Sequence, residues 1–281
     1  GKTVEGFLKE RGYTHQVLVR LKQTDHGILR NGIWAYTNER LCKDDLITVQ
    51  IVENECSDNI APVNLPLDIA YEDDDIIVIN KPFDMPAHPS AGNHDNTLAN
   101  ALMYYYGSQN KPFVYRCINR LDRDTTGLTI VAKHALAGGI LGNAVAKRAI
   151  HRTYYAVCSG CTPACMRISA PIARKDASTI ERCVDFKRGE NAVTDFIRIK
   201  YNPDNNLSLV KLRLLTGRTH QIRVHMKYIG FPLIGDFLYN PDYTYISRQA
   251  LHSGRLVFTH PVTGQKMNLI SDIPSDMKSL F

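Results

Sequence analysis

The chain has 281 residues, with 34 lysines and arginines against 28 acids, a net charge of +6 and 44% hydrophobic residues. That length accommodates one sizeable core and a small second domain, and the absence of any run of about eighteen apolar residues leaves no expected membrane span. Gly1-Lys2-Thr3-Val4-Glu5 lacks the charged-then-apolar pattern of a secretory leader, and seven cysteines form an odd set unlike the paired framework of a small secreted domain. A cytoplasmic protein with reduced thiols is the expectation.

In chain order, Val4, Phe7 and Leu8 stand at helical spacing, and a second apolar periodicity passes through Val17, Val19 and Leu21. From Gly27 onward to Val49 the order is strand, Asn31-Gly32 turn, strand. The charge then shifts. Residues 1–52 carry 8 basic and 6 acidic side chains, residues 53–75 carry 8 acids and no lysine or arginine, and residues 76–281 carry 26 basic against 14 acidic. The acidic stretch also holds Asn54, Ser57, Asn59, Pro62 and Pro66, so it reads as a linker entering a new strand at Ile76-Ile77-Val78-Ile79. Three segments are expected: a small domain over 1–52, an acidic linker and domain entry over 53–75, and a larger domain over 76–281. The basic excess of the last suits a nucleic acid, because neutralised phosphates release counterions. A local cluster such as Lys147-Arg148 with Arg152 has a plainer reading, a solvated helix end stabilised by the helix dipole.

Further along, residues 128–132 read as a strand, and residues 135–149 as a helix through Leu136, Ile140, Leu141 and Val145. Residues 193–199 and 207–214 alternate as an antiparallel hairpin around Asn202-Pro203-Asp204-Asn205-Asn206. Ile222, Met226 and Ile229 recur at helical spacing, which predicts a short helix over 220–228. The fold class is α+β. Cys158, Cys161 and Cys165 could with Cys183 supply four thiolates to zinc, but structural zinc sites present two short paired motifs and one is present here. No metal is expected. Histidines at 88, 220, 225, 252 and 260 lack a ligand pair on one helix and read as structural. No Walker loop, dinucleotide fingerprint or Gly-x-Ser-x-Gly elbow occurs, so no cofactor is expected.

The segment from Ile118 to Leu128, Ile-Asn-Arg-Leu-Asp-Arg-Asp-Thr-Thr-Gly-Leu, sets Asp122 between Arg120 and Arg123 just before a strand. It reads as a site on a rigid loop at a sheet edge; the alternative is a surface turn capped by Asp122 and Asp124. This segment resembles the Arg-Leu-Asp-x-x-Thr-Ser/Thr-Gly signature of the RluA-type pseudouridine synthases. Other blocks agree in order: Asn80-Lys81-Pro82 with Ala87-His88-Pro89, Arg152-Thr153-Tyr154-Tyr155-Ala156, the run from Leu215 to His225, Gly235-Asp236 with Tyr239, and Leu251-His252-Ser253. One departure is Asn119, where the family usually has His. The first domain is similar to an S4-type RNA-binding domain, with the basic face of its second helix thinned to Arg20, Lys22 and Arg30 and interrupted by Asp25. A structural or protein-docking module is the alternative.

The resemblance implies a mixed, mainly antiparallel sheet with flanking helices and a central RNA cleft. It implies isomerisation of uridine to pseudouridine, without cofactor, in ribosomal RNA and first in 23S, with transfer RNA as the alternative, by a monomer that flips out its target base. Asp122 is then the catalytic carboxylate, acting as nucleophile or through elimination to a glycal. Arg223 is its cationic partner, and Tyr154 packs on the base. Arg120 stabilises the extruded nucleotide, Arg123, Arg218, His220 and Gln221 contact substrate, and Leu215 and Ile222 wall the pocket. Two rivals stand beside this reading: a catalytically silent RNA-binding factor, and a nucleosidase, which needs a second carboxylate and releases free base.

Overall fold

The computed structural model describes residues 1–176, 178 and 180–281. Its N-terminal unit starts with α1 (Val4–Glu10) and α2 (His15–Gln23), whose first turns are capped by the hydroxyls of Thr3 and Thr14 accepting from Gly6 N and Val17 N. Asn31 and Gly32 have φ of 51° and 80°, as a two-residue primed hairpin turn requires. They join β1 (Ile28–Arg30) to β2 (Ile33–Trp34), and β3 (Ile47–Val49) completes a sheet of order β2-β1-β3. Val4, Leu8, Val17, Leu18 and Leu21 from the two helices close on Ile28 and Ala35, and Leu136 of the larger body joins the same cluster.

Residues 53–75 run packed against the larger body rather than as a free tether. Ser57 N donates to Phe113 O at 3.2 Å, Val63 N donates to Asn100 O at 3.1 Å, and Ile60, Leu65 and Leu67 pack on a core cluster. The stretch ends in β4 (Ile69–Glu72), an edge strand paired with β5 (Ile76–Lys81). The chain continues through α3 (Leu98–Gly107), β6 (Arg116–Cys117), β7 (Thr126–Ala132), α4 (Ala135–Ala146), β8 (His151–Ser159), β9 (Cys165–Ser169), β10 (Ile172–Arg174) and β11 (Arg182–Val184). It then forms β12 (Val193–Asn202), β13 (Leu207–Leu214), α5 (Gln221–Tyr228), β14 (Leu251–Thr259), β15 (Lys266–Ile270) and α6 (Ser275–Lys278).

A ten-stranded sheet has the order β4-β5-β7-β14-β8-β13-β12-β9, with β15 beside β14 and β6 beside β7. Strands β7 and β14 pair in parallel, and the other pairs among the described residues are antiparallel. Strand β5 sends Ile76 and Val78 into the core under α4, and Ile77 and Ile79 into the core under α3. Cover on both faces explains its unbroken apolar run. A third cluster joins Tyr154, Ala156, Phe196, Val210 and Leu212 of the sheet to Ile222 and Met226 of α5. No described helix is long and apolar enough to cross a membrane.

Two expectations need correction. Asp122 precedes β7, which lies inside the sheet with β5 along one side and β14 and β6 along the other; the loop therefore sits over the middle of the sheet, not at its edge. Helix α4 stops at Ala146, because Arg148 adopts φ 58° while Ala149 N donates to Ala144 O and Arg148 N to Val145 O. This is the paired hydrogen bonding of a left-handed helix stop, formed by an arginine where glycine is usual.

Candidate active site

The loop bearing Asp122 is stitched to β7 from one side and to β5 from the other. Ile118 N donates to Ile130 O at 2.8 Å. Asn119 then extends the ladder with its side chain: Oδ1 accepts from Ile130 N at 2.8 Å and Nδ2 donates to Leu128 O at 3.2 Å. The residue that departs from the family pattern is thus buried and engaged with backbone. From the other side Lys81, 1% exposed, donates Nζ hydrogens to Pro82 O at 2.7 Å and Arg123 O at 2.8 Å. Burial lowers its pKa to about 7 against the pull of Asp124 and Asp122. Thr125 N closes the turn on Asp122 O at 3.1 Å. Gly127, at φ 107°, lies where a Cβ would meet Ser253 O at 2.3 Å, so β7 and β14 approach this closely because the side chain is missing.

Opposite the loop, α5 presents Arg223. Its Nη1 donates to Asp122 Oδ2 at 3.0 Å, while Nε and Nη2 grip Asp236 at 2.7 and 2.8 Å. Asp236 is fixed in turn by Leu238 N and Tyr239 N. The Tyr239 ring centroid is 4.9 Å from the guanidinium carbon. Burial works against the Arg223 charge, but hydrogen bonding to Asp236 and the charge of Asp122 outweigh it and hold the pKa above the ordinary arginine value. Asp122, at 28% side-chain exposure, thus has a fixed cation behind it and an open side toward the cleft. His220 begins the helix in the left-handed region, φ 57°. Its Nδ1 lies 2.9 Å from Tyr239 Oη, and its Nε2 lies 3.9 Å from Asp122 Oδ2, too far for a hydrogen bond. Tyr239 Oη also accepts from Arg182 N at 2.9 Å. Burial pushes the His220 pKa below the ordinary value despite the Asp122 charge.

The cleft in front of Asp122 has a volume of about 1260 Å³ and extends from Pro86–Ser90 to the Arg213–Arg223 segment. Its apolar floor is Leu121, Tyr154, Ile222 and Leu251. Arg120, Arg123, Arg148, Arg152, Arg182, Arg213, Arg218 and Arg223 line it, and Asp122 is the single acid among the lining residues. An isolated carboxylate amid arginines over an apolar floor with one tyrosine suits a flat base on a phosphodiester strand.

Residues 75–228 match the family model described as RNA pseudouridylate synthase. The chain belongs to this family. It is 38% identical over 281 residues to an RNA pseudouridine synthase of Bacillus subtilis named YjbO, covering 99% of this chain and 98% of that one. To the ribosomal large subunit pseudouridine synthase D of Haemophilus influenzae it is 41% identical over 245 residues, covering 82% of this chain and 75% of that one. The solved structure of human RNA pseudouridylate synthase domain containing 1 superposes with a TM-score of 0.62 at 26% identity, over 74% of this chain and 83% of that one.

In this pseudouridine synthase the structure brings Asp122, Tyr154, Arg223, Arg120, Leu215, Ile222, Arg218 and His220 to one cleft. Two of the expected substrate contacts are otherwise engaged. Gln221 borders the cleft, but Nε2 donates to Val193 O and Thr194 Oγ1, and Oε1 accepts from Thr216 Oγ1 and Arg218 N. Its hydrogen-bonding capacity is filled within the protein, so it holds the loop rather than the RNA. Arg123 pairs with Asp124 at 3.1 Å and stands 5.5 Å from the Phe237 ring centroid, so its charge is partly neutralised. In the sequence Lys81 and Asp236 stand only as members of the matching blocks, with no role of their own. Lys81 carries a signal, a lysine closing an apolar strand, whereas the meeting of Asp236 with Arg223 lies 13 residues along the chain and beyond the end of α5 and follows from the fold. Of the four cysteines weighed as zinc ligands, Cys158 is buried in the sheet while Cys161 and Cys165 are exposed.

Proposed function

We propose that the chain isomerises specific uridines of large-subunit ribosomal RNA, with Asp122 as the catalytic carboxylate. The observation that carries this is the placement of Asp122, the single acid of an arginine-lined cleft, on the guanidinium of Arg223. In the reaction the N1–C1′ bond of uridine breaks, the uracil turns, and a C5–C1′ bond forms on the same ribose. The C5 proton leaves and N1 gains one, so atoms balance without a redox partner. Asp122 stands where it can add to the sugar or assist loss of a sugar proton, and both routes use the same carboxylate. Arg223 fixes its angle and Asp236 fixes Arg223, which is the preorganisation that lowers a barrier without reorganisation during the step.

Tyr154 and the aliphatic floor take the face of the flipped base, and Arg120 at the loop tip fills the space that the base vacates. The free arginines take phosphates, which gives affinity without sequence choice. The N-terminal unit is read as an S4-like accessory whose contribution to RNA affinity is small.

The test is pseudouridine mapping after incubation of unmodified ribosomal and transfer RNA transcripts with the protein. New sites in the large-subunit transcript are expected. Sites confined to transfer RNA would move the target, and release of free uracil would replace the isomerase reading with a nucleosidase.

A further inference from the structure

Strands β10 and β11 form a two-stranded arm outside the main sheet, and their register sets Arg174 directly across from Arg182. Residues opposite one another on antiparallel strands put their side chains on the same face. Like charges in that position repel, so this pair costs stability unless something negative sits against it. Among the described residues neither arginine makes an ion pair; Arg182 Nη1 donates only to the carbonyls of Ile180 and Glu181, at 3.1 and 3.2 Å.

Both arginines line a second cleft of about 500 Å³, within the range of small-ligand sites. Its other two arginines are fixed by carboxylates: Arg188 by Asp176 and Asp185, and Arg218 by Glu190. Glu190 is the only acid among the lining residues and is already engaged. The second cleft shares Arg182, Gly217, Arg218 and Thr219 with the cleft of Asp122. Gly217 brings no side chain to this shared rim. The arm is anchored to the catalytic centre itself, because Arg182 N donates to Tyr239 Oη at 2.9 Å.

We propose that Arg174 and Arg182 form a subsite for a backbone phosphate of the RNA strand as it runs out of the catalytic cleft over Gly217. This rests on the reading of that cleft as an RNA site and adds where the strand leaves it. The anion is a phosphodiester rather than an acidic side chain because the two clefts are continuous and the substrate in the first is a polyanion. A phosphate at the pair removes the repulsion built into the hairpin, so binding and hairpin order reinforce one another.

The experiment compares the full-length protein with two double variants, Arg174→Gln with Arg182→Gln and Arg174→Lys with Arg182→Lys. RNA binding is titrated against KCl with an unmodified transcript of large-subunit ribosomal RNA. The glutamine variant is expected to reduce the slope of log affinity on log salt by about 0.7 to 0.9, the value for one phosphate that the protein no longer neutralises. The lysine variant, which keeps the charges, is expected to retain the wild-type slope. The free glutamine variant should melt no lower than wild type, since it loses a repulsion and no ion pair. An unchanged slope overturns the subsite, and so does an equal loss of slope in the lysine variant. Binding is read without turnover. A wild-type protein that binds RNA in this way yet makes no pseudouridine would refute the proposed function and leave the phosphate subsite standing.

Discussion

The N-terminal unit and the catalytic cleft contain the same kind of basic residue in opposite circumstances. In the first, Arg20 faces Glu53 and Glu55, Lys22 faces Glu5, and Arg30 faces Asp45 and Glu39. In the second, arginines crowd around one carboxylate, and Arg120, Arg148, Arg152 and Arg213 make no ion pair among the described residues. Exposed ion pairs add little to stability, about 0–1 kcal/mol each, yet they remove charge that a phosphate would otherwise meet. The three basic residues expected to give the first unit its grip on RNA are therefore already neutralised, in part by the acidic stretch that follows it. A count of lysines and arginines does not reveal this. The pairing does.

The comparison is broken most forcefully at the buried cation that faces Asp122, Arg223. Arg223→Met leaves Asp236 buried without its charge partner, for which a loss of about 3–5 kcal/mol in unfolding free energy is expected, with isomerisation falling below detection. Denaturant unfolding and turnover check both, and a variant as stable as wild type would show that the Asp236 pair carries no structural weight.

Next in size is an acid effect in the body that holds the cleft. His252 is buried with Nδ1 2.9 Å from Thr126 Oγ1, and burial lowers its pKa to about 4. The unfolded chain takes up a proton near pH 6.5 while the native state does not, so this residue's contribution is present above pH 6.5 and is lost as pH falls toward 4. The loss is on the order of 3 kcal/mol. His252→Gln should flatten the stability profile over that window; equal pH dependence in variant and wild type would contradict the burial.

Asn119→Ala sharpens the same contrast between buried and solvated polar groups. It leaves Ile130 N without its side-chain acceptor, at about 1–3 kcal/mol for a buried group left unpaired, while Leu128 O keeps the Ser253 hydroxyl at 3.1 Å. A melting temperature equal to wild type would mean that β7 holds the loop without Asn119. The smallest effect is expected at the surface. Arg152→Gln should lower the salt slope of RNA binding by about 0.7 to 0.9, whereas Arg20→Gln should leave it unchanged, and equal effects at the two positions would erase the distinction between the units.

Much of this was legible in the sequence for physical reasons. The hairpin of β12 and β13, the stripe of α5 and the turn at Asn31-Gly32 follow from local periodicity and backbone conformation, which neighbouring residues determine. The meeting of Asp122 with Arg223 was legible through family resemblance, since 101 residues separate them. What stayed hidden depends on long-range register. Nothing near Arg174 or Arg182 says that they stand opposite one another, and nothing near Gln221 says that its amide is filled by Val193 and Thr194. The end of α4 at an arginine in the left-handed region has no local glycine to announce it. The place of β7 inside the sheet follows from β14, more than a hundred residues later.

The most direct measurement is single-turnover pseudouridine formation by wild type and Asp122→Asn on the same large-subunit ribosomal RNA transcript, with RNA affinity determined in parallel. The expected result is isomerisation by wild type, none by the variant, and affinities within about twofold, because the arginines and not Asp122 hold the phosphates. Normal turnover by Asp122→Asn would contradict it and remove that carboxylate from the chemistry.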